Sequence, residues 1–103
     1  MRNRIVSVEV PHFPVLRVKF QDGIEGDLDL GEEIRTMPMF EELRDEQFFR
    51  KVVLGDKGRC LGWKLDKIGE EIDLSADGIR TDIETQIVKR WAEDYRASRK
   101  AAE

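Results

Sequence analysis

The sequence predicts an α+β fold: an antiparallel three-stranded meander plus a second β-hairpin, short helical turns between them, and a long C-terminal amphipathic helix. Two patterns carry this prediction. In residues 16–28, a turn glycine brings apolar side chains onto one face of a hairpin, and in residues 79–95 apolar side chains recur at helical spacing. The 103 residues are enough for one domain, which we divide into an α+β body (1–80) and a C-terminal helix (81–103) packed on that body or on a partner.

The first hairpin follows from a three-residue loop, 21–23, with Gly23 in the left-handed conformation that suits glycine. A two-residue loop would set Phe20 against Glu25, and a one-residue slip moves every side chain to the other face. The predicted pairs are Phe20–Ile24, Val18–Gly26 and Leu16–Leu28 on an apolar face, and Lys19–Glu25 and Arg17–Asp27 on a charged face. The hairpin is therefore half-buried.

Two further β segments are predicted from alternation and turns. Val6, Val8 and Val10 alternate with polar residues, which indicates a first strand with its valines toward the core. A second hairpin surrounds the loop 56–58, whose last residue is a glycine. Its predicted pairs are Leu54–Cys60, Val52–Gly62 and Val53–Leu61.

Short helical turns are predicted between the hairpins. Residues 30–35 form one, and Pro38 suits the first position of another that turns Phe40 and Leu43 inward. Asp45 is a candidate N-cap for a third turn, which brings Phe48 or Phe49 to the core.

The C-terminal helix is predicted to begin at Thr81, which has capping-box spacing to Glu84. Its apolar residues then recur every fourth position, at Ile83, Ile87, Trp91 and Tyr95. In the simpler interpretation this stripe covers the sheet. Because the helix is long for so small a domain, the alternative is that its far half is buried in a second subunit or in a different protein.

Charge and cysteine content limit the functional classes. The net charge of −4 disfavours a large nucleic-acid footprint, and ten acidic residues against three arginines in 21–50 favour an acidic surface for a basic partner. The single Cys60 and the lack of a long apolar run predict a cytoplasmic protein with no membrane span. Three carboxylates, Glu25, Asp27 and Asp29, share one face of a strand.

No catalytic, cofactor-binding or metal-binding residue is assigned. Cys60 and His12 lie on separate predicted elements, so nothing pairs the thiol with a base. Residues 73–84 have the acidic, glycine and final glutamate positions of a calcium loop, but no helical pattern leads into them. Calcium binding is therefore a minor alternative, and an enzymatic function ranks with it.

The order of core and turn residues resembles a widespread bacterial domain-of-unknown-function family over about residues 4–80. The matching positions are Ile5-Val6-Ser7-Val8, Leu16-x-Val18-x-Phe20-x-Asp22-Gly23, Asp29-Leu30, Phe40-x-x-Leu43-x-Asp45, Phe49, Val52, Trp63 and 72–77. The resemblance implies a short strand-rich protein. It also implies relatives fused to helix-turn-helix domains and relatives in proposed toxin–antitoxin pairs, although the C-terminal helix here is too short for a helix-turn-helix domain.

These observations favour a non-enzymatic cytoplasmic protein-binding or regulatory module, in its most specific form the antitoxin-like member of a two-protein system. A homodimer through the C-terminal helix is one version of that interaction. The alternative is a nucleic-acid-associated transcriptional regulator. The partner-binding hypothesis rests on the acidic and helical residues Glu25, Asp27, Asp29, Ile87, Trp91 and Tyr95.

Overall fold

The chain folds as two three-stranded antiparallel sheets, with short helices between them and a long helix at the C-terminus. The computed structural model describes residues 3–102, with side-chain surroundings for residues 3–99. The first sheet has the order β1 (Ile5–His12), β2 (Val15–Phe20), β3 (Glu25–Asp29), and the second has the order β4 (Val53–Gly55), β5 (Cys60–Trp63), β6 (Ile72–Ser75). The helices are α1 (Gly31–Thr36), α2 (Glu46–Phe49) and α3 (Ala76–Ala102), with 3₁₀ segments at Pro38–Arg44 and Asp56–Gly58. The predicted α+β class is confirmed.

The first hairpin has the predicted register. Val18 lies opposite Gly26, and Lys19 lies opposite Glu25. The amide of Phe20 donates to the carbonyl of Ile24 at 2.8 Å, which closes the three-residue loop, and Gly23 has the predicted left-handed φ of +93°. The apolar face of this hairpin, with Val18 and Phe20 fully buried, forms one wall of the core.

The first strand differs from the prediction at its start. Ile5 pairs with Phe20, but Ser7 pairs with Lys19, so the strand contains one extra residue at Val6. Such a bulge exchanges the inward and outward sides of the strand. Ile5 is therefore buried, while Val6 is 47% exposed, and the prediction that Val6 faces the core is wrong. Val8 and Val10 do pack against the core.

The second hairpin exists, but its register is shifted by one residue from the predicted one. Its pairs are Val53–Gly62, Leu54–Leu61 and Gly55–Cys60. Because Gly55 pairs with Cys60, four residues (56–59) connect the strands where three were predicted. Asp56, Lys57 and Gly58 all have positive φ. The sheet also gains β6, which pairs with β5 and was too short to give an alternating signal.

The predicted helical turns are confirmed, and they deliver aromatic residues to the core. Pro38 begins the 3₁₀ segment, and the side chain of Asp45 accepts a hydrogen bond from the amide of Gln47 at the start of α2. Phe49 is fully buried, with its ring centroid 5.6 Å from that of Trp63. The indole Nε1 of Trp63 donates to the carbonyl of Phe49 at 2.8 Å, so the buried indole is hydrogen-bonded.

The long helix begins five residues earlier than predicted. Ala76 is its first residue, directly after β6, and the Ser75 hydroxyl accepts a hydrogen bond from the amide of Gly78 at 3.1 Å. Ser75 therefore caps the helix in place of Thr81, whose hydroxyl donates to the carbonyl of Asp77 within the helix. The sequence was misleading here because Asp77-Gly78 is typical of a turn. Within residues 3–102, no helix combines the length and the apolar character that a membrane span requires.

Candidate functional site

Three contacts fix the first half of α3 to the body of the protein. Ile79 and Ile83 are buried, and Ile83 lies so close to Gly26 of β3 that a Cβ at residue 26 would come within 2.7 Å of its Cγ2 atom. The side-chain Nε2 of Gln86 donates to the backbone carbonyl of Asp27 at 3.2 Å. The helix therefore runs against β3, one of the two edge strands of the first sheet.

A charged cluster at the hairpin tip holds the same half of the helix. The Arg80 guanidinium donates to both carboxylate oxygens of Asp22, at 3.0 and 2.7 Å, and its Nε donates to Glu84 at 2.6 Å. Arg80 also lies 5.0 Å from the centroid of the Phe20 ring. Its hydrogen bonds lower the pKa of the Asp22 carboxyl and raise the pKa of Arg80 itself.

Beyond Ile87, in the part of the helix whose side chains the structure describes, several apolar side chains are largely exposed. Ile87 packs against the core, but Val88, Trp91 and Tyr95 are 59%, 65% and 63% exposed. With Ala92, which is half-buried, they form one surface. We call Val88, Trp91, Ala92 and Tyr95 the overhang face. Of the three helical residues in the partner-binding hypothesis, Trp91 and Tyr95 lie on it and Ile87 does not.

The overhang face points away from the side of α3 that contacts the sheet. Each residue of an α-helix is rotated by about 100°, so a step of four residues drifts by about 40°. Taking Ile83 as the reference, Ile87 lies about 40° away, Trp91 about 80°, Tyr95 about 120°, and Val88 about 140°. The line that continues the sheet-facing side carries Arg90 and Asp94 instead. The overhang face thus begins beside Ile87 and turns progressively away from the sheet-facing side of the helix.

Sequence reasoning missed Ala92 and gave Val88 no role in binding. The signal for both is present in the chain, because 88, 91, 92 and 95 have the three- and four-residue steps of a single helical stripe. Charged residues stand at the two ends of this stripe. Glu84 lies one turn before Val88, and the Arg99 guanidinium lies 5.9 Å from the centroid of the Tyr95 ring.

The acidic residues of β3 are used largely within the protein. Asp27 forms a two-point ion pair with Arg17, with Nε–Oδ1 and Nη2–Oδ2 distances of 2.9 and 3.3 Å, which raises the pKa of Arg17. The Asp29 carboxylate accepts from the amide of Gly31 at 2.8 Å at the start of α1. Glu25 is exposed opposite Lys19. The three do not form a free carboxylate cluster.

The two residues considered for nucleophilic chemistry lie in different sheets. His12 ends β1 in the first sheet, whereas Cys60 begins β5 in the second. Burial, with a smaller effect from Asp73, raises the pKa of the Cys60 thiol, which favours the unreactive protonated form. Residues 73–84 are divided between β6 and α3, so they do not form the loop of a calcium site. Within the described part of the chain, no three His, Cys, Asp or Glu side chains are placed to hold a metal ion.

Comparison of the chain with family models, with curated proteins and with solved structures finds no match.

Proposed function

We propose that this protein is a non-enzymatic, cytoplasmic protein-binding module whose binding surface is the overhang face. The observation that carries the proposal is the exposure of Trp91 and Tyr95 on a helix that the body holds firmly up to Ile87. Large aromatic side chains are the commonest anchors of protein interfaces, because each buries much apolar area for little loss of conformational freedom.

Comparison of the two surfaces in the partner-binding hypothesis supports the helix over the strand. A partner that bound Asp27 or Asp29 would compete with Arg17 and with the amide of Gly31 for the same carboxylates. A partner on the overhang face displaces only water from apolar side chains, which is favourable. We therefore assign binding to the helix. A regulatory, antitoxin-like role is the form of this function that the family resemblance implies.

Site-specific photocrosslinking in cells tests the proposal. A photoreactive phenylalanine analogue replaces Tyr95 in one variant and Glu93 in a matched control, because Glu93 lies on the same turn but about 160° around the helix from Tyr95. We expect crosslinking to a single protein from position 95 and none from position 93. A second copy of the chain counts as such a protein.

Two results would reject the proposal. Equal crosslinking from positions 95 and 93 would mean that proteins do not bind the overhang face in preference to the opposite side of the helix. A nuclease-sensitive adduct that disappears with increasing salt would instead indicate the nucleic-acid alternative, since phosphate contacts are strongly salt-dependent.

A further inference from the structure

The residues of the overhang face are arranged symmetrically about the bond between Trp91 and Ala92. Val88 precedes Trp91 by three residues, and Tyr95 follows Ala92 by three. The charged residues at the ends continue the pattern, because Glu84 precedes Trp91 by seven residues and Arg99 follows Ala92 by seven. An acidic residue thus stands at one end of the stripe and a basic residue at the other, at equal distances from the centre.

We propose that the overhang face binds a second copy of this chain, with the two α3 helices antiparallel and related by a twofold axis that passes between Trp91 and Ala92. This inference rests on the proposed function, and it names the partner. A twofold interface requires one patch to be complementary to itself. The symmetric order of charge and apolar residues gives this patch that property in the antiparallel direction.

The antiparallel arrangement places complementary side chains at the same height along the two helices. Val88 of one protomer lies level with Tyr95 of its partner, a branched aliphatic side chain beside an aromatic ring. Glu84, which accepts from Arg80 through its Oε1 atom, lies level with Arg99, so opposite charges meet at both ends of the seam. A parallel arrangement in register would instead stack Glu84 on Glu84 and Arg99 on Arg99, which is unfavourable.

The body of the protein leaves room for this partner. The seam is centred about 130° around the helix from Ile83, so the sheets of each protomer face away from the contact. Gln86 and Ile87 contact the body close to where the seam begins. The remaining turns project outward, which agrees with the elongated extents of the molecule, 58 × 32 × 20 Å.

Molar mass measured over a series of concentrations tests self-association. We expect the weight-average mass of the wild-type chain to rise toward twice the monomer mass with increasing concentration. Trp91→Ala should weaken the dimer at least about tenfold, the effect typical of a central aromatic anchor. Ile68→Ala is the matched control, because Ile68 is 99% exposed but lies outside the helix, and it should leave the dissociation constant unchanged.

Charge reversal tests the antiparallel register. Glu84→Arg or Arg99→Glu alone should weaken the dimer, whereas the two changes together restore the pairing between protomers and should recover most of the loss. Because Glu84 also accepts from Arg80, the thermal unfolding of each variant is followed by circular dichroism at a concentration where the chain is monomeric. Recovery in the double variant cannot come from that contact, which remains lost.

Disulfide trapping provides an independent measure of the register, in a Cys60→Ala background. When Val88→Cys and Tyr95→Cys chains are mixed and oxidised, we expect a disulfide between the two different chains. Each variant alone should crosslink poorly, because equivalent residues are separated by seven residues, or about 10 Å, along the seam.

The outcomes separate this inference from the proposed function. A monomer at all concentrations, with an adduct at position 95 to a different protein, would overturn the dimer and leave the proposed function standing. A dimer that Trp91→Ala does not weaken, or that crosslinks at 88 alone, would also overturn the inference. A monomer with no position-dependent adduct would reject both.

Discussion

Arg80 and Asp22 lie 58 residues apart in the sequence, and the guanidinium of Arg80 donates two hydrogen bonds to the carboxylate of Asp22. The contact joins the tip of the first hairpin to the long helix. Arg80 completes the attachment through Glu84 and the face of Phe20, so one side chain links three parts of the structure. The direction in which α3 leaves the body depends on this attachment and on the packing of Ile83.

The Asp22–Arg80 pair should make stability depend on pH. The pKa of Asp22 is lower in the folded chain than in the unfolded chain, so folding is favoured by the ionised carboxylate. The contribution is fully present above the unfolded pKa of about 3.9 and is lost as the pH falls through the folded value. In urea unfolding, Asp22→Asn should be less stable than wild type at pH 7, and the difference should shrink below about pH 4. A difference that stays constant with pH would contradict the assignment.

The guanidinium fork, and not charge alone, should hold the helix. Arg80→Lys keeps the charge but cannot donate in parallel to both oxygens of Asp22, so the melting temperature should fall. Arg90→Lys, on the same helix and exposed, is the control and should melt like wild type. Equal melting temperatures for the two variants would show that charge alone suffices.

Ile83 and Trp91 lie on one four-residue stripe but should differ sharply in their effect on folding. Ile83→Ala removes buried atoms and should lower the free energy of unfolding by about 3 kcal/mol. Trp91→Ala removes an exposed side chain and should change it by less than about 0.5 kcal/mol. Both are measured by urea unfolding of the monomer at low concentration. A large loss for Trp91→Ala would place this ring in the core.

Gly26 should be intolerant of a side chain because Ile83 occupies its space. Gly26→Ala should cost about 1–3 kcal/mol, and combining it with Ile83→Ala should cost less than the two losses added, since the new methyl group partly fills the vacated space. Gly62 offers the contrast. A Cβ there would clash with the backbone carbonyl of Ile72, so no side-chain change should rescue Gly62→Ala.

Trp63 should contribute to stability through both its area and its indole hydrogen bond. Trp63→Phe removes the donor to the Phe49 carbonyl and leaves a gap, so the free energy of unfolding should fall by about 2–4 kcal/mol. Trp91→Phe is the matched control, with an expected change below about 0.5 kcal/mol. Chemical denaturation followed by circular dichroism avoids any dependence on indole fluorescence.

Local chemistry predicted some parts of this fold well. The first hairpin could be predicted from the sequence because a turn glycine and two chemically distinct faces allow only one register. The role of Asp45 as an N-cap could be predicted for a similar reason, since an N-cap accepts from backbone amides two or three residues away. In both cases the deciding contacts lie within a few residues of sequence.

Other parts depend on contacts that sequence spacing does not contain. The bulge at Val6 depends on how β1 meets β2. The start of α3 follows from β6, a strand that is formed by pairing with β5, and the amide of Ala76 donates to the carbonyl of Arg59 at 2.7 Å. The candidate site shows the same limit. The stripe from Ile83 to Tyr95 was visible, but dividing it into buried and exposed parts requires knowing that the body ends near Ile87.

Because α3 is uninterrupted, the overhang face points in a fixed direction relative to the body of the protein. No glycine or proline follows Gly78 within the helix, so little flexibility separates the face from Arg80 and Ile83. One residue inserted after Ile87 would advance the face by about 1.5 Å but swing it by about 100°, whereas seven would return it almost to its starting angle. In this protein the number of helical residues between the body and the overhang face determines the direction from which a partner must approach.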